Sequence, residues 1–260
     1  MGTVFLNPNR GLKKTHERVN FRQVKRTLWV RRVTEKGLEV LNKEHVRARI
    51  EEIGIIPAVR VGSAEHARYA TEVLHRSGIP IAEITMTVPD ALEVISDLAR
   101  SLPGMIVGAG TVLDVETAQR CFDSGAKFLT STGFVADVIE FARKKNVLAI
   151  PGALTPSEVI HAWKAGADFI KIFPCGPLGG ENYIRALKAP FPQVPMVAAG
   201  GVNQQTAMNY ILAGASALGV GGELIPREAL QQKQEERVRE LARRFLARVK
   251  EGRSRLAAAL

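Results

Sequence analysis

Cysteine is scarce in this 260-residue chain: only Cys121 and Cys175 are present. Two thiols are too few for a disulfide framework and suit a reducing compartment, so a cytoplasmic protein is expected. Long apolar runs are absent too. No stretch of about 18 apolar residues occurs, which argues against a membrane-spanning helix. Met1 to Asn9 lack the basic start, apolar block and small-residue cleavage site of a signal peptide. Histidine numbers five: His16, His45, His66, His75 and His161. None falls at the end of an expected strand, so neither a zinc site nor a Ser-His-Asp triad has its set of residues. No metal and no cofactor are expected.

What charge there is sits at the ends. The net charge of +10 suggests a nucleic-acid binder until it is divided along the chain. Residues 1–49 hold 13 Lys/Arg against 4 Glu, and residues 233–260 hold 9 against 4. The stretch between carries 14 basic and 18 acidic residues, so the body is mildly acidic. A basic nucleic-acid face on the folded core is therefore not expected. Residues 1–41 read as a basic extension without sustained periodicity, or as upstream sequence before a start near Val40 or Leu41.

From residue 42 an alternation of strands and helices sets in. An amphipathic helix over Asn42–Glu52 precedes the first apolar run, Ile55 to Arg60. Ser63, Asp114, Thr155 and Asn203 are N-cap residues at helix starts, and Gly125 and Gly166 are stops. The strands expected next are Ile79–Thr87, Met105–Gly110, Phe128–Ser131, Val147–Ile150, Phe169–Phe173, Met196–Ala199 and Ala217–Val220. The last helix is expected over Arg227–Val249, leaving 251–260 as a tail. Eight short apolar strands alternating with helices predict a parallel sheet. Closure into a single (β/α)8 TIM barrel over residues 42–250 is the economical outcome at this length. No Gly-x-Gly-x-x-Gly follows the first strand, which disfavours an open dinucleotide-binding sheet.

Two charges lie inside apolar strands. Lys171 sits in Phe169-Ile170-Lys171-Ile172-Phe173, and Glu83 in Ile81-Ala82-Glu83-Ile84-Thr85. Burial disfavours an ammonium, and a lysine amine that is neutral can attack a carbonyl to form a Schiff base. An exposed edge lysine, or a buried salt bridge without catalytic duty, is the plain alternative. In a barrel the chemistry gathers where strands end, and there the chain offers Arg60, Thr87, Thr111, Thr132 and Phe173. Gly200-Gly201 and Gly221-Gly222 fall in the seventh and eighth βα loops, where barrels often hold a phosphate. Glycine pairs are also ordinary turn formers. Cys175 is read as packing.

Six ordered segments carry a family resemblance: Ile56-Pro57-Ala58-Val59-Arg60, Glu83-Ile84-Thr85, Gly108-Ala109-Gly110-Thr111-Val112, Ile150-Pro151-Gly152, Lys171-Ile172-Phe173-Pro174 and Gly200-Gly201-Val202. Over some 200 residues the chain resembles the aldolases of 2-keto-3-deoxy-6-phosphogluconate (KDPG) and 4-hydroxy-2-oxoglutarate (KHG). The resemblance implies a metal-free class I aldolase that releases pyruvate, usually as a homotrimer. It makes Lys171 the Schiff-base lysine, Glu83 the proton shuttle and Thr111 a contact to the pyruvoyl carboxylate. Three positions depart from the family pattern. Thr87 stands where many members have an arginine for the substrate carboxylate, leaving Arg60 to share that task. Ala199 replaces a threonine, and Gly222, beside Glu223, replaces a serine. Competing readings are an isomerase or decarboxylase on a similar sugar-phosphate barrel, and a non-catalytic oligomer with basic tails.

Overall fold

A computed structural model describes residues 42–258; the basic extension over 1–41 and residues 259–260 lie outside the described residues. Helix α1 (Lys43–Ile53) begins at Asn42, whose side chain accepts from His45 N–H, and ends at Gly54 in a left-handed turn at φ 70°. Strand β1 (Ile55–Val59) follows, then α2 (Ala64–Arg76), β2 (Ile81–Thr85), α3 (Ala91–Ser101), β3 (Ile106–Gly110) and α4 (Val115–Asp123). The middle comprises β4 (Phe128–Thr130), α5 (Ala136–Lys144), β5 (Leu148–Ile150), β6 (Gly152–Ala153), α6 (Pro156–Lys164) and β7 (Ile170–Ile172). The chain continues through α7 (Gly180–Lys188), β8 (Met196–Ala199), α8 (Ala207–Leu212), β9 (Ala217–Val220), α9 (Arg227–Gln231) and α10 (Glu235–Ala258).

All strand pairs are parallel, in the order β5-β4-β3-β2-β1-β9-β8-β7-β6. The outer members of that order, β5 and β6, are two halves of one strand separated only by Pro151. Phe169 N–H donates to Ala149 O at 3.3 Å and Lys171 N–H to Pro151 O at 2.9 Å, so the β7 ladder runs across the break. The sheet thereby closes into a ring of eight strands, the expected (β/α)8 barrel.

Side chains alternate across this wall. Outward residues such as Val59, Ala82, Ala109, Leu129 and Ile170 pack beneath the helices, and Ile56, Ile81, Ile106, Phe128, Leu148, Phe169, Val197 and Ala217 fill the interior. Helix α1 plugs the N-terminal end of the barrel by adding Val46 and Ile50 to that inner cluster. Lys43 Nζ meets Asp168 Oδ2 at 2.9 Å, and that oxygen also accepts Ala149 N–H at 2.9 Å. The apolar floor is thus held shut at the end opposite the βα loops.

The C-terminal region departs from expectation in two ways. A turn around Lys233, at φ 50°, splits the last helix into α9 and α10. Helix α10 then runs through 251–258, where a tail was expected. Contacts explain the extra turns. Gly252 is buried, and a Cβ there would sit 3.0 Å from Ile211 Cβ, so α10 and α8 cross closely at that point. The next residue, Arg253, donates to the carbonyls of Glu51 and Glu52 in the last turn of α1 and to that of Ser216.

Candidate active site

Strands β2 and β7 bring Glu83 and Lys171 together inside the barrel. Lys171 Nζ lies 3.4 Å from Glu83 Oε1, and the two side chains are 8% and 4% exposed. Neither is an edge group, since β7 is paired on both sides: Lys171 aligns with Gly152 of β6 and Val197 of β8. Two charges this deep in an apolar wall carry a large desolvation cost, which their mutual attraction offsets only in part.

Glycines make the room for them. Barrel interiors are ordinarily packed with branched side chains in layers. Here the third strand presents Gly108 and Gly110 inward. The Phe128 ring occupies the space a Cβ at Gly108 would need, and the Glu83 carboxyl group does the same at Gly110, with its Cδ only 2.6 Å from that position. Gly152 is required as well: a Cβ there would approach Gly133 N to 2.6 Å, because the backbone of Thr132 and Gly133, just beyond β4, passes directly over it. Gly219 faces Ala199, whose Cβ would be 2.8 Å away. The result is a floor of large apolar residues with small residues above it, and the lysine-carboxylate pair standing in the gap.

The other residues singled out from sequence differ in burial and in what they touch. Phe173 flanks the lysine-carboxylate pair, with Lys171 Nζ 5.7 Å from the ring centroid. Thr111 takes φ 60°, a left-handed conformation costly for a β-branched residue, and its buried hydroxyl has no hydrogen-bond partner. Gly200 and Gly201 are both left-handed, at φ 80° and 93°. A Cβ on Gly200 would press to 2.9 Å on Phe173 and Pro174, so this turn folds tightly onto the end of the lysine strand. Gly221 and Gly222 carry no such steric demand; Gly221 O accepts from Leu224 and Ile225.

Thr87 is exposed, and its hydroxyl is spent on Thr85, at 2.8 Å, while Thr85 also bonds Val59 O at 3.2 Å. Arg60 is exposed and has no carboxylate within ion-pair reach among the described residues. Thr132 is half-buried, with its backbone against Gly152. The residue of that segment that faces the interior is Thr130, which sequence inspection passed over in favour of Thr132. Its signal was the inward alternation with Phe128.

Both thiols are buried. Burial pushes the Cys121 thiol up to about 12, and it lies 3.5 Å from Met86 Sδ. Burial likewise raises Cys175, which sits 3.6 Å from Gly200 O. Among the described residues no cluster of His, Cys, Asp and Glu could hold a metal ion, and no helix is long and apolar enough to cross a membrane.

Comparison with known proteins gives this geometry a family. Residues 46–241 match the profile described as KDPG and KHG aldolase. A KHG/KDPG aldolase of Escherichia coli strain K12 is 32% identical over 190 residues, 73% of this chain and 89% of the relative. A 2-dehydro-3-deoxy-phosphogluconate aldolase of Pseudomonas aeruginosa is 30% identical over 217 residues, 82% of this chain and 98% of the relative. Among solved structures, the KDPG aldolase of Legionella pneumophila, with pyruvate captured as a covalent carbinolamine, superposes with a TM-score of 0.70 at 28% identity. That match covers 75% of this chain and 95% of the other. The chain belongs to the KDPG and KHG aldolase family of carbon–carbon lyases.

Proposed function

We propose that the protein cleaves a 4-hydroxy-2-oxo acid of the KDPG or KHG kind to pyruvate and an aldehyde, with Lys171 as nucleophile and Glu83 as proton shuttle. The observation that carries this reading is the 3.4 Å pair of Lys171 and Glu83, buried together at the loop end of a barrel. A carboxylate and an amine in contact can exchange roles as acid and base, and charged groups held out of water cluster at reactive sites.

In the cleavage direction the free amine of Lys171 adds to the C2 ketone. Loss of water from the carbinolamine gives an iminium, which draws electrons from the adjacent carbon. Glu83, through a water, takes the C4 hydroxyl proton, the C3–C4 bond breaks, and its electron pair forms the enamine of pyruvate. The aldehyde departs. Protonation of the enamine at C3 and hydrolysis of the imine release pyruvate and return Lys171. Phe173 lines the approach, and Thr111 receives the carboxylate. Gly200, Gly201, Gly221 and Gly222 form the distal side, where a phosphate or an unphosphorylated tail would sit.

The unit of function is expected to be a homotrimer in the cytoplasm. Exposed apolar side chains support association: Phe134 lies 6.1 Å from the His161 ring, and Ile160 and Trp163 beside it on α6 are also exposed. A lactate-dehydrogenase-coupled assay comparing KDPG, its galactose epimer and KHG tests the activity and ranks the tails. Pyruvate release from none of the three would contradict the reading.

A further inference from the structure

Two buried side-chain oxygens have no hydrogen-bond partner among the described residues, Thr111 Oγ1 and Thr130 Oγ1. Leaving such a hydroxyl unpaired costs about 1–3 kcal/mol. Thr130 is 1% exposed, and its neighbours on the inner wall, Phe128, Leu148 and Ile150, are apolar. Strand β4 turns it inward: Phe128 belongs to the interior cluster and Leu129 to the outer one, so Thr130 faces in again.

Its place on the wall lies between the two reacting groups. On one side Val112 N–H donates to Thr130 O at 3.0 Å, which ties it to the turn carrying Thr111, and Glu83 lies over Gly110 of that same turn. On the other side Thr130 pairs with Ile150, and Gly152, two residues on, is the sheet partner of Lys171. The sector that joins Glu83 to Lys171 therefore carries both orphan hydroxyls.

We propose that Thr130 is a specificity-determining contact to the substrate carboxylate, forming with Thr111 a neutral two-hydroxyl cradle beside the Lys171 imine. This rests on the aldolase reading above. A carboxylate only accepts hydrogen bonds, and a threonine hydroxyl can turn its proton to donate one. In an apolar wall such bonds are stronger than in water. The other candidates differ from this pair of hydroxyls: Arg60 is exposed to water, and the Thr87 hydroxyl is paired with Thr85.

The test is borohydride trapping at Lys171, titrated with pyruvate and, in parallel, with methyl pyruvate, which keeps the ketone and masks the carboxylate. Thr130→Val is expected to raise the pyruvate concentration for half-maximal trapping about 10-fold or more, as for loss of a hydrogen bond to a charged group. Thr130→Ser restores it, methyl pyruvate is unaffected, and the thermal midpoint does not fall. An unchanged pyruvate titration, or equal weakening for both ketones, overturns the proposal. Thr130→Ala replaces the valine variant should that fail to fold; if both fail while serine folds, Thr130 is structural and the proposal falls. A wild-type protein that traps neither ketone contradicts the aldolase reading instead.

Discussion

Glu83 occupies the volume that a side chain at Gly110 would need, its Cδ 2.6 Å from the position of the missing Cβ. The glycine is there because the carboxylate must lean across the third strand to reach Lys171. Gly110→Ala is therefore expected to push Glu83 off its partner at a strain cost of about 1–3 kcal/mol. Catalysis should fall about 100-fold, the lower end of what a positioned acid–base group contributes. Steady-state cleavage measured beside thermal unfolding separates the two effects: imine trapping at Lys171 should survive while turnover does not.

Glu83→Gln keeps the shape of the side chain and removes its basicity. Turnover should drop by about 10²–10⁴. Single-turnover kinetics on the same variant should place the loss in bond cleavage. A variant with wild-type turnover would remove Glu83 from the mechanism.

The thiols are expected to be silent. Burial raises both Cys121 and Cys175, Cys121 to about 12, so at pH 8 very little of either is thiolate, the reactive form. Ellman's reagent should titrate no thiol in the folded protein and two in denaturant. Rapid labelling of the native state would show that the packing around α4, for Cys121, or around the end of β7, for Cys175, is looser than described.

Acid should loosen the start of α6. Glu158 accepts hydrogen bonds from Thr155 N–H, Leu154 N–H and the Thr155 hydroxyl, which hold its carboxyl below the usual carboxylate range. A carboxyl depressed in the folded state contributes stability above its unfolded value, near 4.3 for glutamate, and that stability is lost as pH falls through the folded value. The thermal midpoint of wild type should therefore decline more steeply than that of Glu158→Gln as pH is lowered from 5 to 3. Parallel declines would show that the ionised Glu158 carboxylate contributes nothing at the start of α6.

The last turns of α10 are structural. Truncation after Val249 removes Arg253, leaving the carbonyls of Glu51, Glu52 and Ser216 without their donor, and removes Gly252, which covers Ile211 of α8. Arg253→Met, which keeps the aliphatic stem, should cost about 2 kcal/mol, in the range for hydrogen bonds made by a charged group. Urea unfolding measures it, and an unchanged midpoint would show that the Arg253 hydrogen bonds contribute nothing to stability.

Much of this was legible beforehand because the relevant physics is local. Apolar strands alternating with capped helices gave the barrel, and Ser63, Asp114 and Thr155 do accept the N–H bonds expected of caps. Lys171 and Glu83 stood out because a charge in an apolar strand is costly wherever the strand goes. What stayed hidden depends on register and on long-range contact. Nothing local shows how the space beside Gly108 and Gly110 is used: it is filled from other strands by Phe128 and Glu83. Thr130 and Thr132 share a face by alternation in a string of small polar residues, and what separates them is that β4 ends at Thr130, which is buried while Thr132 is half-exposed in the loop beyond. The length of α10 depends on Arg253 meeting carbonyls some 200 positions earlier, which no window of sequence contains.

The most direct measurement is borohydride reduction of the protein with pyruvate, followed by peptide mapping. A three-carbon unit on Lys171, and none in Lys171→Ala, is the expected result. An unmodified Lys171, or an adduct carried by another lysine, would contradict the central claim that this buried amine is the imine-forming nucleophile.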